Sequence, residues 1–83
     1  MANSDLAIGM NKHIDKTASM IDPSVTAHAI YFIIKQNPLI KRDRKNYTKI
    51  LKSVNTHLRS EFGWSMVETH KCFCILHELL KYL

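Results

Sequence analysis

The stretch KRDRKNYTKILKSVNTHLRSEF, residues 41–62, decides the fold of this 83-residue chain. Its apolar residues recur at intervals of three and four positions, which places them on one face of an α-helix. We therefore expect an amphipathic helix from about Arg44 to Phe62 that packs against other helices through this face. The apolar residues are Tyr47, Ile50, Leu51, Val54, Leu58 and Phe62.

The first half of this stretch carries a concentrated positive charge. Residues 41–52 contain six cations and one carboxylate, Asp43, so their net charge is +5, which equals that of the whole chain. Such a cluster attracts polyanions: nucleic acid first, then an anionic membrane surface or an acidic protein. The other interpretation is a solvated helix start whose charges only keep the protein soluble. The cations are Lys41, Arg42, Arg44, Lys45, Lys49 and Lys52.

Length and composition indicate one small helical domain. With 46% hydrophobic residues, 23% charged residues, 2 Gly and 2 Pro, the chain is suited to a core of a few helices and not to a turn-rich sheet. The longest apolar run, residues 29–34, is too short to span a membrane. No signal peptide is evident. We expect an intracellular protein with a nuclear location.

A second helix is expected before the basic stretch. Asp22 can cap its first amides, Pro23 suits its first position, and Asn37-Pro38 should end it. The run Ile30–Ile34 would also suit a strand, but the cap and the length favour a helix. We expect its inward face to consist of Val25, Ala29, Phe32 and Ile33, widened by Ile30 and Ile34.

A third helix is expected after the basic stretch. Gly63 is suited to end the central helix in a left-handed conformation. Ser65 and Glu68 then form the pattern of a capping box, which predicts a helix over residues 66–82. Trp64 lies at the corner between the two helices, where we expect it to anchor the core; the alternative is an exposed contact residue.

The N-terminal segment shows no clean period. Leu6, Met10 and Ile14 are four residues apart, but Gly9 weakens the prediction of a helix. We interpret residues 1–21 as an N-terminal arm or a short helix that packs either on the core or on a partner. Residues 22–83 would then form an all-α, three-helix domain.

The C-terminal helix is more apolar than one buried face requires. Eleven of the 18 residues from 66 to 83 are apolar, so the helix is either central in the fold or offers a surface to another protein or to a second copy of the chain. The candidate interface residues are Ile75, Leu79, Leu80 and Leu83.

Four features occur in order between Ile30 and Leu80: Asn37-Pro38-Leu39-Ile40, the basic stretch ending in Asn46-Tyr47, Phe62-Gly63, and Lys71-Cys72-Phe73. In this order of features the chain resembles the MADF domain, a Myb/SANT-like, helix-turn-helix type of three-helix module in transcription and chromatin proteins. The resemblance implies DNA binding, with the C-terminal helix in the major groove. The family has a Trp in its second and third helices, where this chain has Val54 and Phe73. Residues 58–63, LRSEFG, also resemble the C-terminal helical domain of the chromatin protein DEK.

The sequence contains few residues that could form a metal-binding or catalytic site. His70, Cys74 and His77 share a helical face, but a zinc site would need a fourth ligand, so we predict no metal. Gly9 and Gly63 are the only glycines and neither lies in a phosphate-binding loop. No carboxylate pair is present. Cys72 and Cys74 are interpreted as small buried residues in a reducing compartment. We predict no enzyme activity, no small-molecule substrate and no cofactor.

The sequence therefore predicts a nucleic-acid-binding module, with DNA as the expected ligand and the phosphate backbone as the main contact. The C-terminal helix is poorly suited to recognise bases, because it offers only four hydrogen-bond donors: His70, Lys71, His77 and Lys81. The alternative is a helical module for protein interaction or dimerisation, and a membrane surface is third. The candidate nucleic-acid-binding residues are the six cations of residues 41–52, with Lys71 and Lys81 as additions.

Overall fold

Capping interactions set the limits of the helices in the computed structural model. The structure describes residues 2–37 and 39–83; for residues 2–8 and 41 it describes only the backbone. The side chain of Asp22 accepts from the amide of Val25, and Pro23 follows at the first helical position, as predicted. Ser65 and Glu68 form the predicted capping box. The helices are α1 (Ala2–Ser19), α2 (Pro23–Gln36), the single turn α3 (Leu39–Arg42), α4 (Arg44–Glu61) and α5 (Met66–Leu80).

Four of these helices build an all-α domain, and the described residues contain no strand. Helix α2 packs on α5 along one side and on α1 along the other, and α1 also packs on α4. Helices α4 and α5 also contact each other. The apolar core lies inside this arrangement, at Met10, Ile14, Ala18, Ala27, Ile30, Ile34, Ile40, Ile50, Val54, Leu58, Trp64, Cys72, Leu76 and Leu80.

Helix α1 differs from the expected arm or short helix. It runs for 18 residues, and its second half contributes Met10, Ile14 and Ala18 to the core. These residues are four apart and therefore form one stripe along the helix. Gly9 does not interrupt α1. The N-terminal segment is thus one of the four helices that build the core.

The turn at Gly63 and Trp64 joins α1 to the rest of the chain through a side-chain hydrogen bond. Gly63 has a φ of 68° and ends α4 in the predicted left-handed conformation. The backbone then turns so that the amide of Trp64 donates to the carbonyl of Leu58. Trp64 is 3% exposed, and its indole Nε1–H donates to the carbonyl of Ala18 over 2.9 Å. The prediction of Trp64 as a core anchor is confirmed.

The prediction of the inward face of α2 was wrong at two positions. Val25 is 43% exposed and Phe32 is 50% exposed, with the Phe32 ring stacked 6.1 Å from the imidazole of His13. The buried face is instead formed by Thr26, Ala27, Ile30 and Ile34. Apolar residues surround most of this helix, so their spacing did not fix which side faces the core.

Candidate nucleic-acid interface

Helix α4 begins within the basic cluster because Asp43 caps it. Its carboxylate accepts from the amide of Asn46 over 3.3 Å and from the side-chain Nδ2 of Asn46 over 2.9 Å. A carboxylate at a helix N-terminus also interacts favourably with the helix dipole. The one acidic residue of residues 41–52 thus holds the start of the helix that presents the cations.

Four cations form one exposed face on α4, which we call the α4 basic face: Lys45, Lys49, Lys52 and Arg59. Steps of four, three and seven residues keep these side chains within about 80° around the helix. The core residues Ile50, Val54 and Leu58 lie on the opposite side. None of the four cations forms an ion pair with any residue that the structure describes. Their charges are therefore directed to solvent.

The other predicted cations lie outside this face. Arg42 in α3 and Arg44 at the start of α4 are exposed on either side of Asp43. The side chain of Lys41 lies outside the described residues. Arg42 and Arg44 therefore extend the positive charge beyond the N-terminal end of the α4 basic face.

The two cations predicted on the C-terminal helix are not brought into the face. Lys71 is exposed, but it lies about 100–160° around α5 from the residues that face α4, namely His70, Phe73 and His77. Lys81 follows α5, and its Nζ donates to the carboxylate of Glu78 over 3.0 Å. Neither residue adds directly to the charge along α4.

Sequence reasoning missed Arg59, although the signal was present. Arg59 follows Lys52 by seven residues, which returns a side chain to nearly the same side of a helix. It lies outside the dense cluster of residues 41–52, and for that reason it was not counted. With Arg59 included, the α4 basic face extends for about 21 Å along the helix axis.

One side of the α4 basic face borders a groove between α4 and α5, of about 500 Å³. Lys52 and Arg59 stand at its α4 side, and the partly buried side chains of Tyr47, Leu51 and Phe73 lie within it. Burial raises the pKa of the Tyr47 phenol, so its hydroxyl is neutral at physiological pH. The groove, which we call the α4–α5 groove, was not predicted from the sequence.

On its other side the α4 basic face meets α1 through polar contacts. The His57 imidazole lies 2.6 Å from the Asp15 carboxylate, measured from Nε2 to Oδ1. The side-chain amide of Asn11 donates to the hydroxyl of Ser53 over 3.5 Å. These contacts, with the Trp64 hydrogen bond, fix α4 against α1 and so fix the direction in which the cations point.

The predicted protein-interface residues are only partly available. Leu80 is 4% exposed and belongs to the core of its own chain, which leaves little of its side chain for a partner. Ile75 and Leu79 are half-buried, and Leu83 is exposed after the end of α5. Of the nine apolar residues within α5, Cys72, Leu76 and Leu80 are buried, so burial accounts for only part of the apolar surplus of this helix.

The two cysteines differ in environment. Cys72 is buried, and burial raises the pKa of its thiol to about 12. Cys74, which we expected to be buried, is exposed, and its Sγ lies 3.4 Å from Nε2 of His70. Within the described part of the chain, no three His, Cys, Asp or Glu side chains are arranged to hold a metal ion.

Comparisons with family models, curated proteins and solved structures found no match to this chain. None of the helices described here combines the length and the apolar character that crossing a lipid bilayer requires.

Proposed function

We propose that this domain binds nucleic acid, with duplex DNA as the first candidate, through phosphate contacts made by the α4 basic face. The observation that carries the proposal is the alignment of Lys45, Lys49, Lys52 and Arg59 on one exposed side of α4, without carboxylate partners among the described residues. Cations held in a row on a rigid helix are suited to a linear polyanion.

The length of the face suits several successive phosphates. About 21 Å along α4 corresponds to about six base pairs of B-form DNA at a rise of 3.4 Å. Lysine provides charge without the fixed geometry needed to read a base, and phosphate contacts carry no sequence information. We therefore propose binding that depends weakly on sequence, in a nuclear protein of transcription or chromatin.

A finer fold assignment belongs to the same proposal. We infer that α2, α4 and α5 correspond to the three helices of a Myb/SANT-like module, with α1 as an addition. The order of the helices and the resemblance of residues 30–80 to MADF domains support this assignment. In this arrangement the main contact with DNA comes from α4, because α5 presents few donors to a groove.

Salt dependence of binding tests the proposal. Each phosphate neutralised by a cation releases counterions, so log K should fall against log salt with a slope of about −0.9 per contact, or about −3.6 for four contacts. Affinity for a fluorescently labelled duplex of about 20 base pairs should then fall about 100-fold between roughly 50 and 200 mM KCl. Absence of binding at the lower salt concentration would refute the proposal.

Two matched triple variants locate the contacts. Lys45→Gln, Lys49→Gln and Lys52→Gln together should reduce the magnitude of the salt slope by about 2.7. Lys16→Gln, Lys35→Gln and Lys71→Gln together remove the same charge from other exposed positions and should leave most of the slope unchanged. An equal effect of the two sets would mean that net charge, and not the α4 basic face, drives binding.

Protein association through α5 is the weaker alternative, because Leu80 is buried and only Leu83 of the four predicted residues is exposed. It predicts a dimer or a bound partner that Leu83→Glu disrupts. Sedimentation of the unchanged protein as a monomer, with no effect of Leu83→Glu on any partner, would count against it.

A further inference from the structure

We propose that the α4–α5 groove is a docking site for an acidic amphipathic helix of another protein. This inference does not require nucleic-acid binding, although Lys52 and Arg59 belong both to the groove and to the α4 basic face. It differs from the interface expected at the end of α5, since none of Ile75, Leu79, Leu80 or Leu83 lines the groove.

The floor of the groove is apolar. Tyr47 and Leu51 from α4 meet Phe73 from α5, and Met66 stands at the start of α5 with 71% of its surface exposed. A volume of about 500 Å³ is in the range of sites that hold ligands. Aromatic and methionine side chains are enriched in protein interfaces, and methionine adapts its shape to a partner. The floor is therefore suited to apolar side chains of a partner.

The α4 side of the groove is positively charged, because Lys52 and Arg59 stand there. His70 and His77 on α5 bring imidazole rings to the opposite side. None of the described residues that line the groove is acidic. A partner with Asp or Glu beside its apolar residues would thus meet complementary charge along α4 and no like charge elsewhere in the groove.

The shape favours a helix as the occupant. The lining residues recur every three or four positions on both α4 and α5, so the groove follows the two helices, and a third helix can pack in such a channel. From residue 47 to residue 59 the α4 side of the channel is about 18 Å long, which matches about 12 residues of a docked helix. The two helices that form the groove are held by the rest of the core, so the site is already formed before a partner arrives.

Charge disfavours a second copy of this chain as the occupant. Each copy carries a net charge of +5, and its acidic residues total 7 among 83. Nucleic-acid bases are the competing occupant, because Tyr47 and Phe73 are aromatic, but both side chains are partly buried and Leu51 and Met66 offer no face on which a base can stack. An acidic peptide with a row of Leu and Phe residues satisfies both the floor and the sides.

A synthetic peptide of about 14 residues provides the test, with Leu and Phe on one helical face and Glu and Asp on the other. Fluorescence anisotropy of the labelled peptide against the 83-residue protein should give saturable binding. A scrambled peptide of the same composition, which cannot form an apolar face, should bind at least about tenfold more weakly.

Two neighbouring substitutions give a matched pair. Met66→Glu places a negative charge in the groove, whereas Val67→Glu places it one residue later, at a position that is 76% exposed and does not line the groove. Both add an acidic residue to the first turn of α5, where the helix dipole tolerates it. Met66→Glu should weaken binding by about tenfold or more, and Val67→Glu by no more than about twofold.

Chemical-shift mapping by NMR provides a second readout that needs no variant. On addition of the peptide, amide signals of Tyr47, Leu51 and Phe73 should shift, while those of α1 should not. The proposal is overturned if the peptide does not bind, if the scrambled peptide binds equally well, if the two variants weaken binding equally, or if the shifts map elsewhere. If the protein binds duplex DNA but not the peptide, this inference is refuted and the proposed function is not.

Discussion

Replacing Trp64 by Phe tests how firmly α1 is joined to the rest of the domain. The indole of Trp64 is buried, and its Nε1–H donates to the carbonyl of Ala18, which lies 46 residues earlier. Phenylalanine keeps an aromatic ring at the corner but cannot donate this hydrogen bond. The substitution therefore removes only the hydrogen bond and the outer part of the aromatic ring system.

The expected cost has two parts. A buried hydrogen bond contributes about 1 kcal/mol net, and the carbonyl of Ala18 is not left alone, because the amide of Ile21 also donates to it over 3.0 Å. The smaller ring buries about 40 Å² less surface, which adds about 1 kcal/mol. Trp64→Phe should thus lower the free energy of unfolding by about 2 kcal/mol and the Tm by about 10 °C.

Urea unfolding followed by far-UV circular dichroism measures this effect without relying on tryptophan fluorescence. The midpoint should fall while the dependence on urea stays unchanged, since the same surface is exposed on unfolding. Tyr82→Phe is the control, because Tyr82 is 82% exposed and its change should cost less than about 0.5 kcal/mol. If Trp64→Phe also costs less than that, the contact between Trp64 and α1 does not stabilise the fold.

Three further predictions concern backbone conformation and the thiols. Gly9→Ala should stabilise the protein by about 0.5–1 kcal/mol, because Gly9 lies within α1 and a methyl group there would meet no other atom. Gly63→Ala should destabilise it by about 1 kcal/mol, because the φ of 68° at this position is unfavourable for alanine. In thermal melts, the Tm values of the two variants should therefore shift in opposite directions. Ellman's reagent should modify Cys74 at once and Cys72 only after unfolding, and rapid reaction of both thiols would contradict the burial of Cys72. Burial raises the pKa of the Cys72 thiol from 9.0 in the unfolded chain to about 12 in the folded one. As pH rises through this interval, the unfolded state loses the thiol proton first, so the free energy of unfolding should fall. Urea midpoints that do not fall between about pH 8 and about pH 10 would contradict this.

Local signals in the sequence were sufficient for most helix limits. Asp22 with Pro23, Gly63, and the capping box of Ser65 and Glu68 act within a few residues of themselves, and the structure has helix ends where they predict them. Such signals work because a cap satisfies backbone groups that belong to its own helix. The exposed cations of α4 were predictable for the same reason, since helical spacing alone places them together.

Features that depend on contacts between distant residues were not predictable. The place of α1 in the core depends on Ala18 meeting Trp64, and no local pattern reports that contact. The face of α2 was ambiguous because Val25 and Phe32 are as apolar as the residues that are buried. The α4–α5 groove is lined by residues of two helices, and no local pattern reports how those helices are placed relative to each other.

The place of α1 in the core also determines where the chain can be cut. The sequence-based prediction of a three-helix domain would lead to expression of residues 22–83 alone. That fragment would lose Met10, Ile14 and Ala18 from the core, leave the Trp64 indole without its acceptor, and expose the apolar surface that these residues cover. A shortened protein of this kind should aggregate or adopt a loosely packed state, and its failure to bind any ligand would say nothing about the intact domain. We therefore expect the smallest stable unit to include α1 as well as residues 22–83.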